Sequence, residues 1–214
     1  MTTETPTRFT AIGASARALA ASITAAGYTC HAIDLFADWD TRRLCDVERV
    51  PNMASIVPCA EKLPRAGPLV LGGAMENRLG QLAQVKNGLS ICGSDVFTLG
   101  KSRDPFLVHD CLVAAKLPAL PITIERTHID ERWLVKSRKS AGGMQVEQAV
   151  PGAGNTDLAD RYFQACVGGL EFGATFVADR HRCWYVGSAQ QICEPLGRHQ
   201  YVYHGSVGPV DLPD

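Results

Sequence analysis

The sequence predicts an α/β protein that begins as a parallel sheet covered by helices and continues as strands joined by hairpins. Short apolar segments with the length of strands occur at 9–13, 29–35, 69–73 and 89–92. Stretches with helical spacing separate them, at 16–26 and 76–85. Strands that alternate with helices along a chain form a parallel sheet. From Ile122 onward the helical spacing gives way to strands and turns, which predicts a second, α+β part.

Glycine, aspartate and proline mark where the first helices begin and end. Gly13 opens the turn after the first strand, and Gly27 is placed to end the first helix in a left-handed conformation. Asp104 and Pro105 predict the N-cap and the first residue of a helix over 106–116.

Two prolines after that helix predict a domain junction. Neither Pro118 nor Pro121 can continue a helix, and each disfavours helix in the residue before it. We therefore expect a Rossmann-like domain over 1–118 and an α+β lobe over 119–214.

Composition and charge restrict the class of protein. The 214 residues are 46% hydrophobic and 20% charged, which is ordinary for a globular protein, and the formal net charge is -1. We expect no nucleic-acid partner, because no general positive field is present. We also expect no membrane span, since no apolar run approaches the roughly 20 residues that a span needs. The eight cysteines form no Cys-x-x-Cys pair, which predicts free, buried thiols in a reducing cytoplasm, with Cys111 and Cys166 among them.

The segment from Trp133 to Val146 has the features of a phosphate-binding hairpin. Lys136 lies on its first predicted strand, and Gly142 and Gly143 lie in the following turn. Adjacent glycines tolerate positive φ and close approach to phosphate oxygens, and a strand lysine supplies a fixed positive charge. The alternative is an ordinary basic hairpin with a Gly-Gly turn.

A second polar pattern follows about twenty residues later. Gln164 is followed by an apolar segment through Val167 and then by the acid Glu171. Gln164 has a side chain suited to the amino edge of a purine, and Glu171 has one suited to ribose hydroxyls. Each residue taken alone is equally well explained as a solvated position.

Taken in this order, the two patterns resemble the ATP-grasp superfamily, and the start of the chain resembles the pre-ATP-grasp domain of carboxylate-amine ligases such as tyramine-glutamate ligase. The resemblance implies that Lys136 contacts the α- and β-phosphates of ATP, while Ser140, Gly142 and Gly143 close over the distal phosphates. It also implies that Gln164 to Val167 binds the adenine edge and that Glu171 binds the ribose.

The sequence departs from the family pattern in two places. The usual second phosphate-binding lysine is absent before the junction, where Lys101 or Arg103 would have to replace it. The Glu-x-Asn of the family's Mg²⁺ site is also absent. We therefore expect a chain cut short of the metal-binding end, with an exposed apolar face and low solubility.

The function implied by the resemblance is ATP-dependent ligation of a small-molecule carboxylate to an amine through an acyl phosphate, in the cytoplasm. No catalytic residue and no oligomeric state follow from it. The alternatives are a non-catalytic protein that keeps a weak nucleotide site, and an α/β small-molecule-binding module whose glycine turn is structural.

Overall fold

The computed structural model describes residues 7–64, 66–85, 89–125, 128–150, 159–179 and 181–211. Its contacts divide the chain into two compact units, 1–108 and 109–214. This division falls inside a helix, so the junction at 118/119 stays a prediction. No helix within the described residues is both long enough and apolar enough to cross a membrane.

The first unit is built on a parallel five-stranded sheet, as the sequence predicts. Its strands are β1 (Arg8–Ile12), β2 (Thr29–Asp34), β3 (Asp46–Arg49), β4 (Leu69–Leu71) and β5 (Ile91–Cys92). Their order across the sheet is β3-β2-β1-β4-β5, and every neighbouring pair is parallel. The carboxyl ends of β1 and β4 lie side by side, with Gly13 against Gly72, where a Cβ on Gly13 would lie 3.2 Å from the Gly72 Cα.

Helices connect these strands or follow the last of them. They are α1 (Arg17–Ala25), α2 (Trp39–Leu44), α3 (Ile56–Ala60), α4 (Leu79–Leu82), α5 (Val96–Arg103) and α6 (Pro105–Ala114), with short 3-10 turns at Met53–Ser55 and Met75–Asn77. The predicted start of α6 is confirmed, because the Asp104 side chain accepts from Phe106 N at 3.0 Å. Gly27 has a φ of +84°, which confirms the left-handed end of α1.

Strand alternation divides the core of the first unit between the two faces of the sheet. On one face Ala11 and Ala32 pack with Ala16, which is the N-cap of α1, and with Ala20 within α1. These small side chains allow α1 to lie close to the sheet. On the other face the larger Ile12 and Ile33 belong to a cluster with Ile56, Leu69, Met75 and Leu82.

The second unit contains two antiparallel sheets, as the hairpin pattern predicts. The first has the order β6-β9-β7-β8, from β6 (Ile122–Thr123), β7 (Trp133–Ser137), β8 (Val146–Gln148) and β9 (Arg161–Ala165). The second has the order β10-β11-β12, from β10 (Phe172–Ala178), β11 (Cys183–Leu196) and β12 (His199–Val210).

The four-stranded sheet has one core face and one polar face. Val135 and Phe163 are direct cross-strand partners, and both are buried with Ala149. Their neighbours along the strands, Lys136 and Gln164, must point to the opposite face because strand side chains alternate.

All eight cysteines are free, as predicted, but not all are buried. The expectation that Cys111 and Cys166 are buried is wrong, because both are exposed. Cys111 lies on α6, which has no buried residue, and Cys166 follows the last residue of β9. Apolar neighbours in sequence do not bury a side chain unless another element packs over it.

Candidate functional site

Lys136 lies on the polar face of the four-stranded sheet and is half-buried. Its partner across the sheet is Tyr162, so Gln164 is its diagonal neighbour on β9. The Lys136 Nζ donates to Gln164 Oε1 at 3.0 Å. Burial lowers the pKa of the Lys136 ammonium, while the charges of Glu171 and Cys166 act to raise it. The amine is therefore a partly desolvated cation close to an acid and a thiol.

Glu171 lies in the connection between the two sheets, immediately before β10. Its backbone carbonyl accepts from Gln191 N at 2.8 Å, which fixes it beside β11. A hydrogen bond to the Glu171 carboxylate, together with burial, raises the pKa of the Cys193 thiol to about 11. The structure thus brings the Glu171 carboxylate near Lys136 on one side and Cys193 on the other.

Tyr201 on β12 completes this group of side chains. Its Oη donates to Gln148 Oε1 at 2.8 Å, and Gln148 shares the polar face with Lys136 because it pairs with Leu134. Burial raises the pKa of the Tyr201 phenol, and the charges of Cys166 and Glu171 add to the rise. We call Lys136, Gln164, Glu171, Cys193 and Tyr201 the lysine cluster.

Sequence reasoning missed two members of the lysine cluster, Cys193 and Tyr201. Both lie on long strands of the second sheet, and no local motif surrounds either residue. The packing of β12 beside β8 places the Tyr201 hydroxyl against Gln148, and the charges of Cys166 and Glu171 act on it as they do on Lys136. A pairing between distant strands leaves no local sequence pattern, so nothing in the sequence pointed to these residues.

The glycine turn has the predicted conformation and is attached to β12. Gly142 and Gly143 have φ values of +62° and +72°. Tyr203 N donates to the Gly142 carbonyl at 3.0 Å, and the Gly143 Cα lies against the Tyr201 carbonyl so closely that no Cβ fits. Gly143 is therefore required here for a structural reason, and Gly142 is favoured by its positive φ.

The remaining predicted site residues lie around this turn and in the connection after β9. Ser140 is half-buried and precedes the two glycines. Val167 lies between β9 and β10 and is 64% exposed. The contact of either residue with a nucleotide stays a prediction.

The two cations considered as replacements for the second phosphate lysine lie in the first unit. Lys101 Nζ lies 4.2 Å from the centroid of the Phe97 ring. Arg103 Nη2 donates to Asn77 Oδ1 at 3.1 Å. Both contacts are made within the first unit, so a role at phosphate stays a prediction for each.

Asp34, at the carboxyl end of β2, has a structural role. Its buried carboxylate accepts from the backbone amides of Ala16, Phe36 and Ala37 at 3.0, 3.0 and 2.6 Å. These bonds join the start of α1 to the loop after β2. The carboxylate is thus already engaged by the backbone of the first unit.

A separate cavity of about 480 Å³ lies beside the hairpin. It is lined by Met144, Gln145, Glu147, Arg161, Arg198 and His199. Glu147 and Arg161 form an ion pair at 3.3 Å, and both occupy positions on the core side of the sheet, opposite Lys136. The lysine cluster does not line this cavity.

Within the described residues, no three His, Cys, Asp or Glu side chains are grouped so that they could hold a metal ion. Mg²⁺ that is bound to a nucleotide needs only one or two carboxylates beside phosphate oxygens, so the Mg²⁺ that the resemblance implies stays a prediction. We derive no chemical step through Mg²⁺.

The chain has the fold of solved structures that include a putative ATP-grasp superfamily protein. No protein-family model and no curated protein sequence matches the chain. The fold is shown by solved structures that are only 11–14% identical to it.

Three of these structures illustrate the similarity. N5-carboxyaminoimidazole synthetase from Staphylococcus aureus complexed with ADP has a TM-score of 0.63 at 14% identity, over 96% of this chain and 59% of that one. A putative ATP-grasp superfamily protein from Archaeoglobus fulgidus has a TM-score of 0.62 at 11% identity, over 97% of this chain and 66% of that one. L-amino acid ligase from Bacillus licheniformis has a TM-score of 0.62 at 12% identity, over 99% and 58%. The chain thus spans between 53% and 66% of the length of the structures it resembles.

Proposed function

We propose that the second unit binds ATP and that Lys136 contacts its α- and β-phosphates. The observation that carries this proposal is the half-buried Lys136 amine, bonded to Gln164 at 3.0 Å and close to the Glu171 charge. Burial makes the isolated cation unfavourable, so a polyanion that pairs with it gains more than it would at an exposed lysine. Two structures with this fold were solved with ADP.

The other predicted contacts follow from the positions of the same residues. Ser140, Gly142 and Gly143 belong to the turn after β7 and would approach the distal phosphates. Gln164 to Val167 would bind the base edge, and Glu171 would accept from the ribose hydroxyls. The exposed carboxylate of Glu171 lies near Lys136. This suits a nucleotide, in which the ribose is next to the α-phosphate.

We further propose that the reaction class is ATP-dependent ligation of a small-molecule carboxylate to an amine in the cytoplasm. This part rests on the names of proteins that share the fold, which include an L-amino acid ligase and a phosphoribosylamine-glycine ligase. In such a reaction the residues described here would position ATP and neutralise its charge. We assign no acid or base to them.

A second candidate is a binding module in which the glycine turn is structural. The observation that favours it is the attachment of the turn to β12 through Gly142 and Tyr203. In this case Gly142 and Gly143 would matter for folding and Lys136 would not contact phosphate.

Titration of the purified chain with ATP, with and without Mg²⁺, separates the two candidates. We expect Lys136→Ala to weaken binding by about 10- to 100-fold, since a charge-assisted hydrogen bond contributes roughly 1.5–3 kcal/mol. Lys139→Ala is the matched control, because Lys139 is exposed and lies 3.3 Å from Asp160. Equal affinities for wild type and Lys136→Ala would favour the module and contradict the ATP site.

A further inference from the structure

Cys30 and Cys45 face each other on neighbouring strands of the parallel sheet. β2 pairs with β3 so that His31 is opposite Asp46, and the residues one position earlier are Cys30 and Cys45. Cys45 has the extended backbone of a strand, with a φ of -161° and a ψ of 171°, although β3 begins one residue later. Both thiols belong to the apolar cluster between the sheet and α1, so they lie on the same face.

The separation of these two positions is suited to a disulfide bond. Neighbouring strands lie about 4.7–4.9 Å apart, and the Cα atoms of a disulfide are usually about 4.4–6.8 Å apart. The two thiols are already hydrogen-bonded to each other. A covalent bond between the sulfurs therefore needs only a small movement of the two side chains.

The other two cysteines of the first unit are not placed to compete. Cys59 packs in the cluster on the opposite face of the sheet, with Ile12 and Ile33. Cys92 is exposed on β5, and two strands, β1 and β4, separate β5 from β2. Within the first unit, the fold therefore gives Cys30 and Cys45 only each other as partners.

We infer that Cys30 and Cys45 form a dithiol site that a small disulfide, such as oxidised glutathione, converts to an intramolecular disulfide bond. In the first step the Cys45 thiolate attacks one sulfur of the oxidant, whose S–S bond breaks, and one reduced glutathione leaves with the proton of Cys45. Cys30 then attacks the Cys45 sulfur and expels the second glutathione, which takes the proton of Cys30. Two protein thiols are oxidised and one disulfide is reduced to two thiols, so atoms and electrons balance. The site lies wholly within the first unit and is independent of the proposed nucleotide site.

The surroundings of the two thiols determine the order and the pH range of the reaction. Cys30 is buried, whereas Cys45 is only half-buried and so meets the oxidant first. Burial raises the pKa of the Cys45 thiol to about 12, and the neighbouring Cys30 adds to the rise. Burial also raises the pKa of Cys30. Because the thiolate is the attacking form, the pair reacts slowly near neutral pH and faster in an alkaline buffer.

Peptide mapping of the oxidised chain tests the inference. The reduced chain is incubated with oxidised glutathione at about pH 9, where more of each thiol is ionised. Remaining thiols are blocked with N-ethylmaleimide, and the chain is digested with trypsin without reduction. Trypsin cuts after Arg42 and Arg43, so the two cysteines lie in different peptides. We expect peptide 18–42 joined to peptide 44–49 to be the main cross-link of the monomeric chain.

Two variants serve as matched controls. In Cys30→Ser the second step is blocked, so peptide 44–49 should carry glutathione. In Cys59→Ser the cross-link should form as in wild type, because Cys59 lies on the opposite face of the sheet. The inference is overturned if, once the exposed Cys92 of wild type is fully modified, the two cysteines stay free, carry glutathione separately or are joined to other cysteines.

Discussion

Lys136 has a positive charge in a half-buried position, and two neighbouring side chains stabilise it. Gln164 supplies a neutral oxygen at 3.0 Å, and the Glu171 carboxylate acts from farther away. Burial still dominates and lowers the pKa of the amine. Lys136 forms no direct ion pair with any of the described residues, and a half-buried lysine of this kind favours a negatively charged ligand over a purely structural role.

The hydrogen bond between Cys193 and Glu171 gives a pH-dependent prediction. The pKa of Cys193 is raised to about 11 chiefly because its thiol is hydrogen-bonded to the Glu171 carboxylate, and burial and the negative charge of that carboxylate add to the rise. Glu171→Gln removes this charged acceptor, so the pKa should fall. Since the thiolate is the reactive form, iodoacetamide should modify Cys193 roughly tenfold faster at pH 9 in the variant.

Mass spectrometry of the alkylated peptides measures this rate directly. Cys183, exposed on the same strand, is the internal control and should react at the same rate in both proteins. An unchanged rate at Cys193 would show that the Glu171 carboxylate does not hold the thiol proton.

At the scale of secondary structure elements, the glycine turn and β12 depend on each other. Gly143 has no room for a Cβ against the Tyr201 carbonyl, whereas Gly142 has no atom within 4 Å of its Cβ position. Gly142→Ala should therefore lower the free energy of unfolding only by the left-handed backbone strain, roughly 1–2 kcal/mol. Gly143→Ala should lower it by about 1–3 kcal/mol more, because the turn must also move away from β12.

Urea unfolding of the two variants provides the comparison. Both substitutions add the same methyl group at a positive φ, so strain is matched and only the contact with β12 differs. Equal losses in the free energy of unfolding would mean that the turn is not packed on β12 in solution.

The sequence predicted the elements whose own residues show an apolar pattern. It missed the elements that form only because they pair with or pack against another part of the chain. β1 and β2 have mostly buried residues, and both were predicted within a residue or two. β3 was missed because it is a short edge strand with mostly exposed, charged residues. The helix predicted over 76–85 is shorter, with a 3-10 turn at Met75–Asn77 and α4 at Leu79–Leu82.

The candidate site could be predicted only in its local part. Lys136 and the two glycines lie in one hairpin, so the spacing of residues in sequence is also their spacing in the fold. The proximity of Gln164 follows from the pairing of β7 with β9, and the proximity of Tyr201 depends on the second sheet. Antiparallel register between distant segments is set by packing and turns, which the sequence does not show directly.

At the scale of the whole molecule, the two units differ in how much apolar surface they bury. The end of the β10–β11 hairpin exposes large apolar side chains on both of its faces. The exposed fraction is between 47% and 62% for Phe176, Val177, Trp184, Tyr185 and Val186. We call these residues the distal hairpin surface. Contiguous exposed apolar groups of this kind favour association, so the expected apolar face is present in the second unit.

The distal hairpin surface predicts the solution behaviour of the chain. Val186→Thr, with Val177→Thr if needed, should increase the fraction of monomer in size-exclusion chromatography. Val135→Thr is the matched control, since the same change at this buried position should lower the free energy of unfolding by about 1–2 kcal/mol. A wild-type chain that is monomeric and melts sharply and reversibly would contradict this prediction.

The central claim is that the amine of Lys136 binds the phosphates of a nucleotide, and trace acetylation tests it most directly. The chain is labelled with a small amount of acetic anhydride with and without saturating ATP, and each lysine is quantified by mass spectrometry. We predict at least about fivefold protection of Lys136 by ATP, with Lys62 and Lys116 labelled equally in both samples, as expected for an amine engaged by a bound anion. Equal labelling of Lys136 at every ATP concentration would contradict the claim.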